Sequence, residues 1–307
     1  MKLKALHLKC LRIRLIEEAI SRLYPSDKIQ SPVHLSNGQE AVSVGVCANL
    51  NKKDLVFGTY RGHALYLAKG GDLKKMMAEL FGRRTGCGKG KAGSMHLADK
   101  NQGVMGCSAV VSSTIPLAVG AAYAAKLRGT EQVTVCFFGE GATGEGVYHE
   151  SMNFAAKHSL PILFVCENNS WAIFTNFSQV HSYRMVEHAK SYGLSAKKIE
   201  EGWDVKAVDQ AAKTEIEEIR KGNGPCWLEF TTFRYMQHVG PLSDIDQGHR
   251  SKEDLKAWQR KDSLCSIAND PRYHEAIQKI ELEIEAAIAF ADSSDYPKNE
   301  ELLEDVY

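Results

Sequence analysis

The sequence predicts an α/β fold in which a parallel sheet is flanked by helices. Two apolar runs, 133–138 and 162–166, indicate buried strands, and the stretch 147–159 between them is long enough for one helix. A Gly-Glu-Gly turn at 139–141 follows the first run, and an Asn-Asn pair at 168–169 closes the second. Open α/β sheets bind ligands at the carboxyl ends of their strands, so we expect both polar elements at one ligand site.

The remaining elements follow from apolar periodicity and from helix start and stop signals. The glycine-rich stretch 85–93 and the segment 234–250 show no clear period and are predicted to be loops. The whole chain, 1–307, is expected to form a single domain with a helical tail at about 252–307. Helices are predicted at 11–24, 40–50, 72–81 with Asp72 as N-cap, 116–127, 185–192 and 210–221, and further strands at 55–57, 205–208 and 226–232.

Charge and composition argue against nucleic-acid and membrane functions. Lys+Arg and Asp+Glu both number 38, so no global field favours nucleic acid or a membrane surface. No stretch approaches the ~20 apolar residues of a membrane span, and residues 1–10 carry no secretory signal pattern. The eight cysteines form no CxxC pair, which argues against a zinc site. We therefore expect a cytoplasmic protein with free thiols, several of them buried as small apolar side chains (Cys47, Cys136 and Cys166).

The polar residues at the predicted sheet edge suit a divalent cation and a phosphate group. Glu140 supplies a carboxylate and Asn169 an amide oxygen, and Mg²⁺ prefers oxygen ligands of these kinds. Gly139 and Gly141 would let a phosphate approach the backbone N–H groups closely. The sequence therefore predicts a Mg²⁺–diphosphate site between the two strand ends.

Several motifs, in their order along the chain, resemble the α subunit of the thiamine-diphosphate-dependent E1 component of 2-oxo acid dehydrogenase complexes. Familiar members of this family act on pyruvate, branched-chain 2-oxo acids or acetoin. The resemblance extends from about Leu11 to about Trp258. Its landmarks are His34-Leu35 with Gly38-Gln39-Glu40-Ala41, Tyr60-Arg61-Gly62-His63, the stretches 89–96 and 115–120, Gly139-Glu140-Gly141-Ala142 and Glu167-Asn168-Asn169.

The resemblance implies a thiamine-diphosphate-binding fold with thiamine diphosphate and Mg²⁺ as cofactors. The side chains of Glu140 and Asn169 and the backbone carbonyl at Trp171 match the family's metal ligands. Arginines suit the diphosphate because the guanidinium offers a planar fork of donors. The resemblance assigns the cofactor to Tyr60, Arg61, Gly139, Glu140, Gly141, Ala142, Asn169 and Arg234, with the backbone of Ala109 and Val111 at its aminopyrimidine ring.

The implied activity is decarboxylation of a 2-oxo acid, or cleavage of acetoin, with transfer of the acyl group to a lipoyl acceptor. His63 and His238 match active-site positions and are expected to exchange protons. The alternative role of His63 is to brace the phosphate loop, and that of His238 is a contact within its own loop. A transketolase-like β chain would supply the activating glutamate in an α₂β₂ assembly, and a lipoyl-bearing acyltransferase is a further expected partner. A split carboligase or ketol transferase, and a degenerate subunit that binds no cofactor, stay open as alternatives.

Three departures from the family pattern bear on these expectations. Glu140 stands where the family usually has aspartate, and the extra methylene lengthens its reach by roughly 1.5 Å; we still expect the site to bind Mg²⁺. Ala109 and Ser112 lie in a run that is usually glycine-rich, so they restrict backbone angles that glycine would allow. The usual regulatory serine is missing beside His238, so kinase control is not expected there.

Overall fold

A parallel sheet of six strands, counted over the described residues, forms the centre of the molecule. The computed structural model describes residues 2–248 and 250–304, without the side chains of Asp246 and Gln247. The strands are β1 (Leu55–Thr59), β2 (Val104–Ser108), β3 (Thr134–Gly139), β4 (Ile162–Asn168), β5 (Trp171–Ala172), β6 (Thr175–Asn176), β7 (Ser195–Ile199) and β8 (Cys226–Thr231). The sheet runs in the order β2-β1-β3-β4-β8-β7, and β5 and β6 form a separate antiparallel ribbon.

Helices cover both faces of the sheet, because consecutive residues of each central strand point to opposite sides. Val135 and Phe137 of β3 pack in one apolar cluster, and Cys136 and Phe138 pack in the other. The helices are α1 (Lys2–Leu23), α2 (Glu40–Cys47), α3 (His63–Ala68), α4 (Leu73–Leu80), α5 (Thr114–Leu127), α6 (Gly146–Lys157), α7 (Phe177–Val180), α8 (Met185–Ser191), α9 (Val205–Arg220), α10 (Lys252–Lys261), α11 (Ser263–Ile267) and α12 (His274–Ser293). Helices α1, α2, α9 and α12 contribute to the first cluster, and α5, α6 and α8 to the second. The predicted α/β class, with a parallel sheet between helices, is confirmed.

One buried carboxylate shapes the glycine-rich loop at 85–93. Glu79, on α4, accepts hydrogen bonds from the backbone N–H groups of Gly88, Gly90, Ala92 and Gly93 at 2.7, 2.9, 2.7 and 3.0 Å. These four bonds converge on one carboxylate and so help to fix the path of the loop. Ser94, which follows the loop, lies beside the start of α3.

The strand predicted at 205–208 is wrong. The Asp204 side chain accepts a hydrogen bond from the backbone N–H of Lys206, so the apolar residues that follow begin α9. Over this longer window the buried positions recur every three to four residues, which is the helical period. The sequence analysis also missed β7, an edge strand whose residues Ser195–Ile199 are mostly exposed and polar. The first helix begins at Lys2 rather than at residue 11.

The C-terminal tail is mostly helical where the structure describes it, with α10, α11 and α12, and residues 305–307 lie outside the described range. All eight cysteines lie in the described part of the chain, and none is in a disulfide. None of the helices within 2–248 and 250–304 combines the length and apolar character that a membrane span requires. Treatment of 1–307 as a single domain stays a prediction.

The contact between α2 and α9 provides a test of the packing. A Cβ at Gly45 would lie 2.6 Å from Val208 Cγ1 and 2.9 Å from the backbone nitrogen of Asp209. We expect Gly45→Ala to lower the free energy of unfolding by about 1–3 kcal/mol, measured by urea denaturation, because the backbone atom cannot move aside. Gly120→Ala on α5 is the matched control: a Cβ there meets no atom within 4 Å. It should raise stability by roughly 0.5–1 kcal/mol. Equal effects of the two variants would contradict the packing described here.

Candidate functional site

The two polar elements singled out in the sequence meet at one edge of the sheet. Strands β3 and β4 are neighbours in parallel register, and Gly139 is paired with Glu167 at their carboxyl ends. The chain leaves β3 in a short 3₁₀ turn, Glu140–Gly144, and leaves β4 at Asn169. The backbone N–H of Asn169 donates to Glu140 Oε2 at 3.2 Å, which joins the two strand ends directly.

Glu140 carries the feature that points to a cation. Its side chain is 1% exposed, and among the described residues no hydrogen-bond donor reaches its Oε1. Burial raises the pKa of this carboxyl group, because the charged form is poorly solvated there. A buried acceptor without a donor costs free energy unless something satisfies it. A divalent cation would satisfy this oxygen, and the amide of Asn169 lies beside it.

The turn after β3 packs closely against neighbouring segments of the chain. A Cβ at Gly141 would lie 2.8 Å from the Cβ of Ala172, so only glycine lets the turn pack against the β5 segment. On the other side, Ser112 Oγ donates to the carbonyl oxygen of Ala142 at 2.9 Å. Ser112 has φ of 63°, the left-handed region that favours glycine. Ser112 thus adopts a backbone angle that glycine would adopt more easily, and the hydrogen bond from its hydroxyl to the turn helps to hold it there.

Two buried arginines give the site its positive charge. Arg61 donates to the backbone carbonyl oxygens of Leu35 and His238 at 2.6 and 3.3 Å. Arg234 donates from Nη2 to both carboxylate oxygens of Asp244 at 3.0 Å. Burial and the nearby Arg234 lower the pKa of Arg61 to about 10. The carbonyl oxygens that Arg61 contacts are neutral, so the guanidinium forms no ion pair with them and its charge would suit an anion.

Three aromatic rings form a cluster on the wall of the cavity. The ring of His34 lies 4.4 Å from that of Tyr60 and 5.2 Å from that of His238, between centroids. Burial and the charge of Arg61, with further contributions from neighbouring cations, lower the pKa of each histidine to about 3. Both imidazoles are therefore neutral at neutral pH, and His34 Nδ1 has no hydrogen-bond partner among the described residues.

The structure brings nearly all of the predicted site residues together. One cavity of about 390 Å³ is lined by Tyr60, Arg61, Ala109, Val111, Gly139, Glu140, Gly141, Ala142, Asn169, Trp171, Arg234 and His238. His63 is not among its lining residues. Its side chain is fully buried, with Nδ1 2.9 Å from Glu17 Oε2 and Nε2 2.7 Å from Ser94 Oγ. Both ring nitrogens are thus occupied away from the cavity.

Other lining residues escaped the sequence analysis. His34 belongs to a motif used there only as a landmark, and Gln39 of the same motif accepts a hydrogen bond from Asn169 Nδ2 at 3.2 Å. Glu167 also lines the cavity, and burial together with the neighbouring Glu140 raises its pKa to about 7, against the opposing charge of Arg61. The sequence did carry a signal for these residues. His34 and Gln39 lie in a motif that contains a glycine, and Glu167 lies at the end of a predicted strand.

Comparison with known proteins shows which family the chain belongs to. A family profile described as "Dehydrogenase E1 component" matches residues 9–300. The chain belongs to the dehydrogenase E1 component family. The resemblance predicted from the motifs is therefore confirmed, and the family is thiamine-diphosphate-dependent.

Curated relatives of this E1 chain are similar over nearly its whole length. The α subunit of acetoin:2,6-dichlorophenolindophenol oxidoreductase from Bacillus subtilis is 38% identical, over 97% of this chain and 91% of the relative. The α subunit of the pyruvate dehydrogenase E1 component from Porphyra purpurea is 36% identical, over 98% of this chain and 91% of the relative. The corresponding acetoin oxidoreductase subunit from Cupriavidus necator is 36% identical, over 96% and 91%.

The lowered pKa values of His34 and His238 predict how the stability of the E1 chain depends on pH. The pKa of each histidine is about 6.5 in the unfolded chain and about 3 in the folded chain. The folded state therefore has its full stability at a pH above 6.5, and stability is lost as the pH falls from 6.5 towards about 3, because only the unfolded chain takes up the proton. We expect the melting temperature of a His34→Gln, His238→Gln double variant to drop less than that of the wild type between about pH 7 and about pH 5. His158→Gln, at a histidine outside the cavity, is the control. Parallel pH profiles of wild type and double variant would contradict the assignment.

Proposed function

We propose that this chain is the α subunit of a two-chain thiamine-diphosphate enzyme that decarboxylates a 2-oxo acid, or cleaves acetoin, and passes the acyl group to a lipoyl acceptor. The observation that carries the proposal is the convergence of Glu140 and Asn169 with two arginines, Arg61 and Arg234, on one cavity. A carboxylate and an amide suit Mg²⁺, and arginines suit the diphosphate that the metal would neutralise.

The residues present fit both groups. Glu140 and Asn169, with the backbone carbonyl of Trp171, would hold Mg²⁺, and the buried Oε1 of Glu140 is an acceptor that no donor reaches within residues 2–248 and 250–304. Backbone N–H groups of Gly141 and Ala142 would bind the diphosphate, together with Arg61, Arg234 and Tyr60. The backbone of Ala109 and Val111 would hold the aminopyrimidine ring. When bound, thiamine diphosphate supplies the nucleophilic carbon and the electron sink for decarboxylation.

His238 is the proposed proton donor to the substrate. Arg234 Nη1 lies 3.4 Å from His238 Nδ1, and arginine only donates, so Nδ1 is the acceptor. The neutral ring therefore carries its proton on Nε2, where it is available to a substrate oxygen. His34, 5.2 Å away between ring centroids, is the second proposed proton-exchanging group. His63 has no free nitrogen, and we propose that it braces Ser94 at the end of the glycine-rich loop.

Exposed apolar side chains at the rim of the cavity favour the presence of a second subunit. Val110, Val111 and Ile173 are 67%, 47% and 50% exposed there, and apolar side chains of this size at a cavity mouth indicate a covered surface. We propose that a transketolase-like β chain covers it, supplies the activating glutamate and forms an α₂β₂ tetramer, and that a lipoyl-bearing acyltransferase is the further partner. The proposed location is the cytoplasm, where a reducing environment keeps thiols free.

Native mass spectrometry of the protein purified from its own cells tests the proposal. We expect a heterotetramer that retains thiamine diphosphate and Mg²⁺, and Asn169→Ala should weaken Mg²⁺ binding at least about tenfold because a metal ligand is lost. Ser170→Ala, at the exposed neighbouring position, should bind as the wild type does. Wild-type protein without cofactor or partner would instead support a degenerate subunit. A tetramer that forms acyloins without a lipoyl acyltransferase would support a carboligase.

His238 and His63 differ in which kinetic quantity their removal should change. His238→Ala should lower turnover about a hundredfold with little change in cofactor affinity, because it removes a proton donor. His63→Ala should mainly weaken cofactor binding, because it removes a brace from the loop. Steady-state kinetics with an artificial electron acceptor, combined with cofactor titration, separate the two effects. If His63→Ala instead slowed turnover at unchanged cofactor affinity, His63 would be the catalytic group.

A further inference from the structure

The segment that follows β8 converges on one buried carboxylate, Asp244, which is 1% exposed. Arg234 contacts both of its oxygens at 3.0 Å, and the Nε of Arg250 lies 2.6 Å from its Oδ2. The side chains of both arginines are almost fully buried, at 1% and 5% exposed. Buried charges of this kind persist only when well paired, so the three side chains form a rigid unit.

The two arginines extend from Asp244 to different parts of the cavity. Arg234 Nη1 reaches His238 Nδ1 at 3.4 Å. Arg250 Nη2 donates to the backbone carbonyl oxygen of Asn169 at 2.9 Å and lies 3.3 Å from its Oδ1. The guanidinium of Arg250 also lies over the ring of Phe233, 4.3 Å from its centroid, which fixes its plane. One carboxylate thus orients contacts to the proposed proton donor and to the proposed metal ligand.

We propose that Arg250, held by Asp244, is a positioning residue for the metal ligand Asn169. This inference rests on the proposed function, because it concerns the same Mg²⁺ site. The shorter of the two contacts is to the backbone carbonyl, which is not a proposed ligand. Arg250 therefore fixes the turn that carries Asn169 chiefly through the backbone, and its contact with the side-chain oxygen is the longer one, at 3.3 Å. Trp171 N–H also donates to that oxygen, at 3.2 Å, and helps to orient it.

Fixed geometry at Asn169 would affect which metal ion the site prefers. Mg²⁺ requires near-ideal octahedral geometry, whereas Ca²⁺ accepts longer and more variable ligand distances. If Arg250 sets the geometry of Asn169, then loosening it should harm Mg²⁺ binding more than Ca²⁺ binding. A merely structural role would weaken the binding of both ions together, so the ratio of the two affinities is the informative quantity.

The test compares Mg²⁺ and Ca²⁺ dissociation constants, each measured by calorimetry with thiamine diphosphate present, on the assembled protein. Arg250→Lys retains the charge but loses the planar fork, and we expect its Mg²⁺ dissociation constant to rise about tenfold and its Ca²⁺ constant by less than about threefold. Asp244→Asn, a second variant that frees the same guanidinium, should shift the ratio in the same direction. Lys252→Met removes an exposed charge from the adjoining helix and should leave both constants unchanged.

Each outcome separates this inference from the proposed function. Equal losses for both ions, or an unchanged Mg²⁺ constant, would overturn a positioning role. Tighter Mg²⁺ binding by Arg250→Lys would also overturn it, because Arg250 would then compete with the metal for Asn169. A wild-type protein that binds neither ion with thiamine diphosphate would overturn the proposed function itself. Unfolding curves of the variants confirm that each is folded before its affinities are compared.

Discussion

The buried carboxylate of Glu140 is the constraint on which the rest of the site depends. It lies at 1% exposure between two strand ends, with one oxygen bound to the Asn169 backbone and the other without a donor among the described residues. Such a group is costly in the folded chain, and the sheet keeps it there because β3 and β4 pair along their whole length. The β5 segment packs against the neighbouring glycine turn at Gly141, and Ser112 is hydrogen-bonded to that turn at Ala142. A site built in this way has its geometry in place before any ligand arrives.

Charged side chains of both signs surround this group, which suits the proposed combination of a metal ion and a diphosphate. Two buried arginines, Arg61 and Arg234, and the carboxyl groups of Glu140 and Glu167 line the same cavity. The arginines and burial keep His34 and His238 neutral. An anion bound to the arginines would offset their field, so the histidines would become easier to protonate once the cavity is filled. Binding and proton exchange are thereby linked through the same charges.

Glutamate at position 140 is accommodated by the turn that carries it. The chain passes into a 3₁₀ turn immediately at this residue, and the longer side chain reaches across to the end of β4. The turn itself is tied down on both sides, by the Thr143 hydroxyl on the carbonyl of Glu140 at 2.8 Å and by Ser112 on Ala142. Two of the departures from the family pattern therefore meet at one turn. Glu140 begins the turn, and Ser112, in the left-handed region, is hydrogen-bonded to it.

The sequence by itself determined the fold class, because strands buried on both faces form long apolar runs and glycine turns mark their ends. It also located Glu140, Asn169, Arg61, Arg234 and His238, since each lies in a motif or directly after a strand. It did not reveal β7, whose exposed polar residues carry no apolar pattern, or the helix that begins at Val205, whose period shows only in a longer window. Only the tertiary structure placed His63 outside the cavity and His34 inside it, because α3 turns the His63 ring towards Glu17 and Ser94. Only the tertiary structure joined Arg250 to Asn169, residues separated by 81 positions, since contacts between distant segments depend on chain packing and leave no local signal.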